Sequence, residues 1–305
     1  MRSSAASDVY KRQVITFVVS VVMGGGFENI NHTLQGMNEA YLTFPGANGY
    51  MPWAYYVSNI VLWAFFTMGQ PHLFTKFFTM KDHKTMFKAI FLGTGGMLVS
   101  ATLIEWAGVN GIASIQGIEK ADQIVPLILQ RGLNPFLASI FIAGIVAAGM
   151  STIDGILVTT TGAVTRDIYQ KIINKKADDN SVMKLSKVVT VLIGVVVICF
   201  GVFQPGSIFE INLFAFSGMA IFVVPVLFGM YWKKSTAAGA IASIVVGVIA
   251  LLAFTLVPEV KALAFGFHAL FPATILGSVT MIIISLLTQK PPQETIDRHF
   301  LVFNK

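Results

Sequence analysis

The sequence predicts an all-α fold, a polytopic membrane helix bundle, and three observations lead there. Of 305 residues, 55% are hydrophobic and only 12% charged, with a mean hydropathy of +0.73. Soluble domains carry about 25% charged residues, so this chain has too little water-seeking surface to wrap a soluble core. The apolar residues also gather into runs close to the roughly 20 residues that a helix needs to cross a bilayer. Finally, lysine and arginine concentrate on alternate loops between the runs, as the positive-inside rule requires of a multi-pass chain.

Along the chain, Met1 to Gln13 (MRSSAASDVYKRQ) is polar and ends abruptly against an apolar run at Val14 to Phe27. That run has about 14 residues and no small-residue cleavage site, so residues 1–13 read as a non-native leader on a truncated membrane helix. Further runs follow at about 53–71, 86–107, 135–165, 185–204, 208–232, 236–257 and 267–288, giving roughly eight spans within a membrane domain at 14–288 and a tail at 289–305. Loops 72–88 and 166–187 and the Lys233-Lys234 turn are basic, whereas 28–52 holds Glu28 and Glu39 without a cation. The bias puts 28–52, 105–134, 205–210 and 258–266 outside and the C-terminus in the cytoplasm, in a cytoplasmic (inner) membrane. Within 105–134, Ile124 to Leu133 reads as a short interfacial helix, too short to cross.

The net charge of +6 does not signal nucleic acid, because the basic residues sit between apolar runs and line no single face; the expected surroundings are a lipid bilayer and a small-molecule solute. Cys199, alone and inside an apolar run, excludes a disulfide framework. No nucleophile elbow or carboxylate pair points to an enzyme, and the five histidines have no metal-ligand spacing.

Chemistry in such a chain concentrates where polar or helix-breaking residues interrupt a span. One place is Trp63 to His72 (WAFFTMGQPH), where Gly69 and Pro71 flank Gln70. Proline lacks the N–H that would cap the carbonyl four residues back, which frees backbone around Thr67. Broken helices are where secondary transporters seat solute, so Trp63, Thr67, Gln70 and Pro71 are the candidate solute residues; an ordinary proline kink is the alternative. The other place is Ala147 onward (AAGMSTIDGILVTTTGAVTRDIY). Ala148, Ser151, Thr152, Gly155 and Thr159 share one helical face, with Asp154 one turn from Ser151. Hydroxyls, a carbonyl and an intramembrane carboxylate suit a hard cation such as sodium, so Ala148, Ser151, Thr152 and Asp154 are the candidate ligands. Hydrogen bonds from hydroxyls back to carbonyls of the same helix are the alternative for the Ser151, Thr152 and Asp154 cluster, and the simpler reading for Thr159 to Thr161.

At these residues the chain resembles the sodium:solute symporter family. AAGMSTID (Ala147 to Asp154) is similar to the family's sodium-site helix, TRDIY (Thr165 to Tyr169) to its cytoplasmic end, and GMYWKKSTAAGAIASIVVGV (Gly229 to Val248) to the family signature. MGQPHLFTKFF (Met68 to Phe78) resembles proline-type members; INLFAFSGM (Ile211 to Met219) and GFHALFP (Gly266 to Pro272) resemble pantothenate-type members. The resemblance implies a LeuT-type architecture of two inverted five-helix repeats plus peripheral helices. The run at Val14 would close the first repeat, 53–71 through 208–232 would form the second, and the chain would be the C-terminal part. It also implies sodium as coupling ion, held by Ala148, Ser151 and Thr152 together with carbonyls from the first helix of the first repeat. Asp154 stands where some members place a second sodium ligand. Trp63 matches one of an aromatic pair lining the solute cavity in proline-type members, whereas Thr67 stands where a tyrosine is expected. The implied activity is sodium-driven symport of a small organic solute such as pantothenate or proline. A membrane-embedded solute sensor is the competing reading, and Lys290 to Lys305 holds no signalling module.

Overall fold

The computed structural model describes residues 2–49, 51–70, 80–204 and 206–300. Among them the chain is helical, without a strand. In order the helices are α1 (Arg2–Met23), α2 (Phe27–Met37), α3 (Trp53–Phe65), α4 (His83–Ser114), α5 (Ile124–Gly132), α6 (Pro135–Gly162), α7 (Asp179–Phe203), α8 (Ile208–Ala220), α9 (Val223–Tyr231), α10 (Ala237–Leu256), α11 (Pro258–Ala262), α12 (Leu270–Leu287) and α13 (Gln293–Phe300). Six stretches are long and apolar enough to cross a membrane: α4, Pro135–Ile173, α7, Ile208–Tyr231, α10 and α12. This is a multi-pass membrane protein. The chain forms two units, Met1–Thr43 with Thr75–Ile208 and Phe44–Phe74 with Phe209–Lys305.

In the first unit, α1 is one helix from Arg2 to Met23. The Gly24-Gly25-Gly26 run then turns the chain by 71° into α2. Gly25 and Gly26 have φ of 72° and 93°, a region closed to most side chains. Segment 28–52, read as a loop, therefore begins with a helix whose buried Ile30 and Leu34 stand one turn apart. α1 packs on α4 and α5 through Ile115, Ile124 and Ile128. Gly111 of α4 leaves the space that Ile124 and Ile128 fill. Between α1 and α4 the fully buried Asn110 donates to Ser20 Oγ at 3.0 Å.

Asn134 caps α6 by accepting from the Leu137 N–H at 2.9 Å, with Pro135 in the first turn where its missing donor costs nothing. The helix continues as a π-helix over Ala163–Ile173, giving 39 helical residues from Pro135. α5 is the short helix expected at Ile124 to Leu133.

The second unit departs from the sequence reading at two breaks. The run at 53–71 does not make one long helix: α3 stops at Phe65 and tightens into a 3-10 turn, Phe66–Gly69. The Thr67 carbonyl is not left free, since it accepts from the Gln70 N–H at 3.2 Å. The run at 208–232 is also interrupted, at Ile221 and Phe222, because Pro225 has no N–H for the Ile221 carbonyl. Val224 supplies it in a tighter i+3 bond of 3.3 Å.

The densest packing lies between α10 and α12. Gly239, Ser243, Gly247 and Ala250 make a buried stripe on α10, facing Ala273, Gly277, Met281 and Ser285 of α12. A Cβ on Gly239 would collide with Ser285 Oγ and lie 3.0 Å from the Met281 carbonyl oxygen, so the two backbones meet directly. Thr236 caps α10 through the Gly239 N–H at 3.1 Å and bonds Thr288 at 2.8 Å. This region carries the GAIASIVVG part of the signature-like stretch, which here is a packing surface.

Candidate functional site

The candidate cation residues lie on α6 in the first unit. Ala148 is half-buried, while Ser151, Thr152 and Asp154 are exposed within this chain. Thr152 Oγ1 donates to the Ala148 carbonyl at 3.3 Å. Other hydroxyls bonded to the carbonyl four residues back do so at 2.6–2.8 Å, including Ser139, Thr159, Thr165, Ser186, Ser217 and Thr280, while bonds to the carbonyl three residues back reach 3.2 Å at Ser100 and 3.5 Å at Thr43. The Thr152 bond is the longest of the i to i−4 set. Two oxygens held at about 2.4 Å by one hard cation, at right angles in an octahedral shell, sit about 3.4 Å apart. The Thr152 and Ala148 oxygens stand near that spacing, and the same 3.3 Å contact is also a hydrogen bond within the helix.

Ala148 also lines a cavity of about 460 Å³ with Thr16, Asp122, Phe141 and Gly144. Asp122 is held there by accepting from the Ile208 N–H at 3.1 Å. Sequence reasoning passed over Thr16 and Asp122; a loop carboxylate gives no periodic signal, and only the fold brings it beside α6.

Asp154 does not line that cavity. It opens onto a groove of about 660 Å³ between α6 and α7 with Thr161, Thr165, Arg166, Ser186 and Thr190. Asp154, Thr161 and Thr165 are spaced i, i+7, i+11 and so occupy a different face from Ala148 and Thr152. Two hydroxyl pairs cross this groove: Thr161 with Thr190 at 3.0 Å, and Ser186 donating to Thr165 at 3.1 Å. Thr159 bonds back to Gly155 at 2.8 Å as expected, whereas Thr161 has a partner on another helix.

The candidate solute residues lie in the second unit. Trp63 is 45% exposed and stands edge-on to Phe66 and Phe216, at 5.3 and 5.5 Å between ring centres. Phe66 and Phe216 themselves meet at 4.6 Å, so α3 and α8 share an aromatic cluster. Gln70, which ends the 3-10 turn, is 6% exposed. Gly69 comes so close to the Met219 carbonyl that no Cβ would fit between them, which seats the turn against the end of α8. Pro71 lies outside the described residues.

His268, given no role by its spacing, is drawn into the structure. Its N–H donates to Ser58 Oγ at 3.0 Å, and its ring stands edge-on to Tyr55 at 5.7 Å. Burial, with a smaller contribution from the Lys261 ammonium, lowers its pKa, so the ring stays neutral to a pH below the ordinary histidine range.

A model of the sodium:solute symporter family matches residues 12–247. The chain is 28% identical over 285 residues to the sodium/pantothenate symporter of Escherichia coli, covering 93% of this chain and 58% of that protein. It is 27% identical over 284 residues to the sodium/pantothenate symporter of Haemophilus influenzae, covering 92% and 58%. A sodium/proline symporter of Staphylococcus aureus is 28% identical over 248 residues, covering 77% and 48%. The chain therefore spans about half the length of the curated relatives it matches.

Proposed function

The chain belongs to the sodium:solute symporter family, and from that premise we propose that the whole protein couples sodium entry to uptake of a small organic solute across the bacterial inner membrane. The solute class is a carboxylate such as pantothenate or an amino acid such as proline, in keeping with the names of the relatives. The protein is a transporter and works without covalent chemistry. Sodium is cargo, held by the Ala148 carbonyl and the Ser151 and Thr152 hydroxyls. Asp154 serves a second cation position on the neighbouring face. Trp63, Thr67, Gln70 and Pro71 bound the solute, with the Trp63 ring as an apolar wall. The C-terminus faces the cytoplasm, by the basic bias of loops 72–88 and 166–187.

The observation that supports this reading is that Ala148 and Thr152 present a carbonyl and a hydroxyl oxygen 3.3 Å apart on one face of α6, with Ser151 next to Thr152, in a chain of this family. Coupling then needs only that sodium and solute both bind one conformation better than the other.

The test is sodium-dependent uptake of labelled pantothenate and proline by the full-length protein with Ser151→Ala and Thr152→Ala combined. The half-saturating sodium concentration should rise about tenfold or more, equivalent to about 1.4 kcal/mol of lost cation affinity. Thermal stability of the variant without sodium, measured beside the parent protein, separates loss of cation affinity from loss of fold. Unchanged sodium dependence in the double variant removes the assignment.

A further inference from the structure

The second unit holds a pocket of about 330 Å³ that the transport reading does not use. Its apolar walls include Tyr55 of α3, Phe214 of α8 and Phe254 of α10, and three charged or titratable side chains line it: Glu210, Lys261 and His268. Glu210 comes from the first turn of α8 and Lys261 from α11. His268 lies in the turn between α11 and α12, where Phe265 and Gly266 take φ of 51° and 82° and reverse the chain.

The turn is anchored. The His268 N–H donates to Ser58 Oγ, and that hydroxyl donates on to the Ala54 carbonyl at 2.8 Å. His268 Nδ1 accepts from the Leu270 N–H at 3.3 Å. With Nδ1 as acceptor, the proton of the neutral imidazole sits on Nε2, which makes that nitrogen a donor. Lys261 forms no salt bridge among the described residues. Of the titratable groups lining the pocket, Tyr55 meets the imidazole edge-on and the Lys261 ammonium acts on its charge, Glu210 lines the pocket from α8, and α10 contributes only Phe254 and Thr255.

A cavity of this size holds a ligand of roughly ten to fifteen heavy atoms, and its lining has three kinds of contact. An ammonium and an imidazole donor suit a carboxylate. A carboxylate at Glu210 suits a cationic group. Aromatic walls suit an apolar body. We propose that this pocket binds a small zwitterion of the amino-acid type, its carboxylate toward Lys261 and His268 and its ammonium toward Glu210. A simple anion would meet Glu210 with like charge, and a simple cation would meet Lys261. The pocket is distinct from the solute position at Trp63, though Tyr55 and Trp63 share α3 and a ligand here bears on that helix.

The inference stands without the transport reading, and the experiment keeps the two apart. Tritiated L-phenylalanine is the probe, titrated onto the purified full-length protein in sodium-free buffer. Saturable binding is expected there, and Lys261→Ala and Glu210→Gln should each weaken it about tenfold or more. Lys261→Arg should restore most of it. As competitors, 3-phenylpropionate and phenethylamine, each lacking one charge, should displace the probe only at concentrations about tenfold above that of unlabelled phenylalanine. The proposal is overturned by absence of saturable binding. It is equally overturned by loss on Trp63→Ala with Lys261→Ala and Glu210→Gln silent, or by 3-phenylpropionate competing as well as phenylalanine. Sodium-driven uptake, measured separately, reads the transport reading and not this one.

Discussion

Helices α7 and α10 have the same mean hydropathy over their most apolar stretches, yet none of that stretch is buried in α7 and 28% is buried in α10. Composition does not separate them; the arrangement of small residues does. α10 lines up Gly239, Ser243, Gly247 and Ala250 on one side, and α12 answers with Ala273, Gly277 and Ser285. α7 reads VVTVLIGVVVICFGVF over 188–203, β-branched nearly all round, and its Gly194 and Gly201 face open space. Lipid tails are as apolar as leucine, so hydropathy sets how long a membrane helix is, while small residues set whom it touches. The side-chain hydrogen bonds between α7 and the α6 helix run through Ser186 and Thr190.

The comparison breaks most readily at Gly239. A leucine there must push Ser285 Oγ and the Met281 carbonyl aside, and backbone does not yield cheaply. Gly239→Leu should cost about 1–3 kcal/mol or more, the range for overfilling a packed interior. The same change at Gly194 of α7, where a new Cβ meets nothing within 4 Å, should be close to neutral. Thermal unfolding of the two purified variants side by side checks this. Equal losses would show that the stripe does not organise the second unit.

Much of this was readable beforehand, and the unread parts share a cause. The long helices announced themselves through apolar length, and α5 through an apolar stretch too short to cross. α2 was missed because Phe27 was counted with the preceding run and Ile30, Leu34 and Met37 stand among polar residues; the i, i+3, i+7, i+10 spacing of the four was the available clue. The break at Ile221 was written in Pro225, which the apolar run around it masked. At the candidate cation site, the shared face of Ala148, Ser151 and Thr152 follows from the helical repeat alone. That Asp154 opens toward α7 does not follow, because it depends on how α6 packs against the next helix. For the same reason Thr161 was assigned a bond within its own helix and in fact meets Thr190.

That last pair offers a smaller test. If hydroxyls hold α6 to α7 where small residues do not, Thr161→Val and Thr190→Val should be coupled. Buried side-chain hydrogen bonds between membrane helices average about 0.6 kcal/mol in double-mutant cycles, and that is the coupling expected here. A value near zero would mean that the groove between the helices is held by something other than the hydroxyls lining it.

The smallest expected effect concerns the aqueous ends of the helices, where the two units also differ. In the first unit, α4 starts on Asp82, which accepts from the Thr85 N–H at 2.6 Å, and α7 starts beside Asp178, which accepts from Ser181 Oγ at 2.5 Å. Hydrogen bonds from Thr85 and from Ser181 lower the two carboxyl pKa values. In the second unit, α10 starts on the Thr236 hydroxyl, which does not titrate and is buried. A carboxyl whose pKa is lower in the folded state stabilises that state above its unfolded pKa of about 3.9. The contribution is lost as pH falls through the lower, folded value. Acid should therefore loosen the first turns of α4 and α7 and leave that of α10 unmoved. The amide shifts of selectively labelled Thr85 and Ser181 should titrate with midpoints below the ordinary carboxylate range, while the Gly239 amide stays flat. Asp82→Asn should abolish the Thr85 transition and keep the helix, since an amide oxygen still accepts the bond. A Gly239 amide that moved together with Thr85 would mean that acid acts on the fold as a whole, and the contrast between charged and hydroxyl caps would fall.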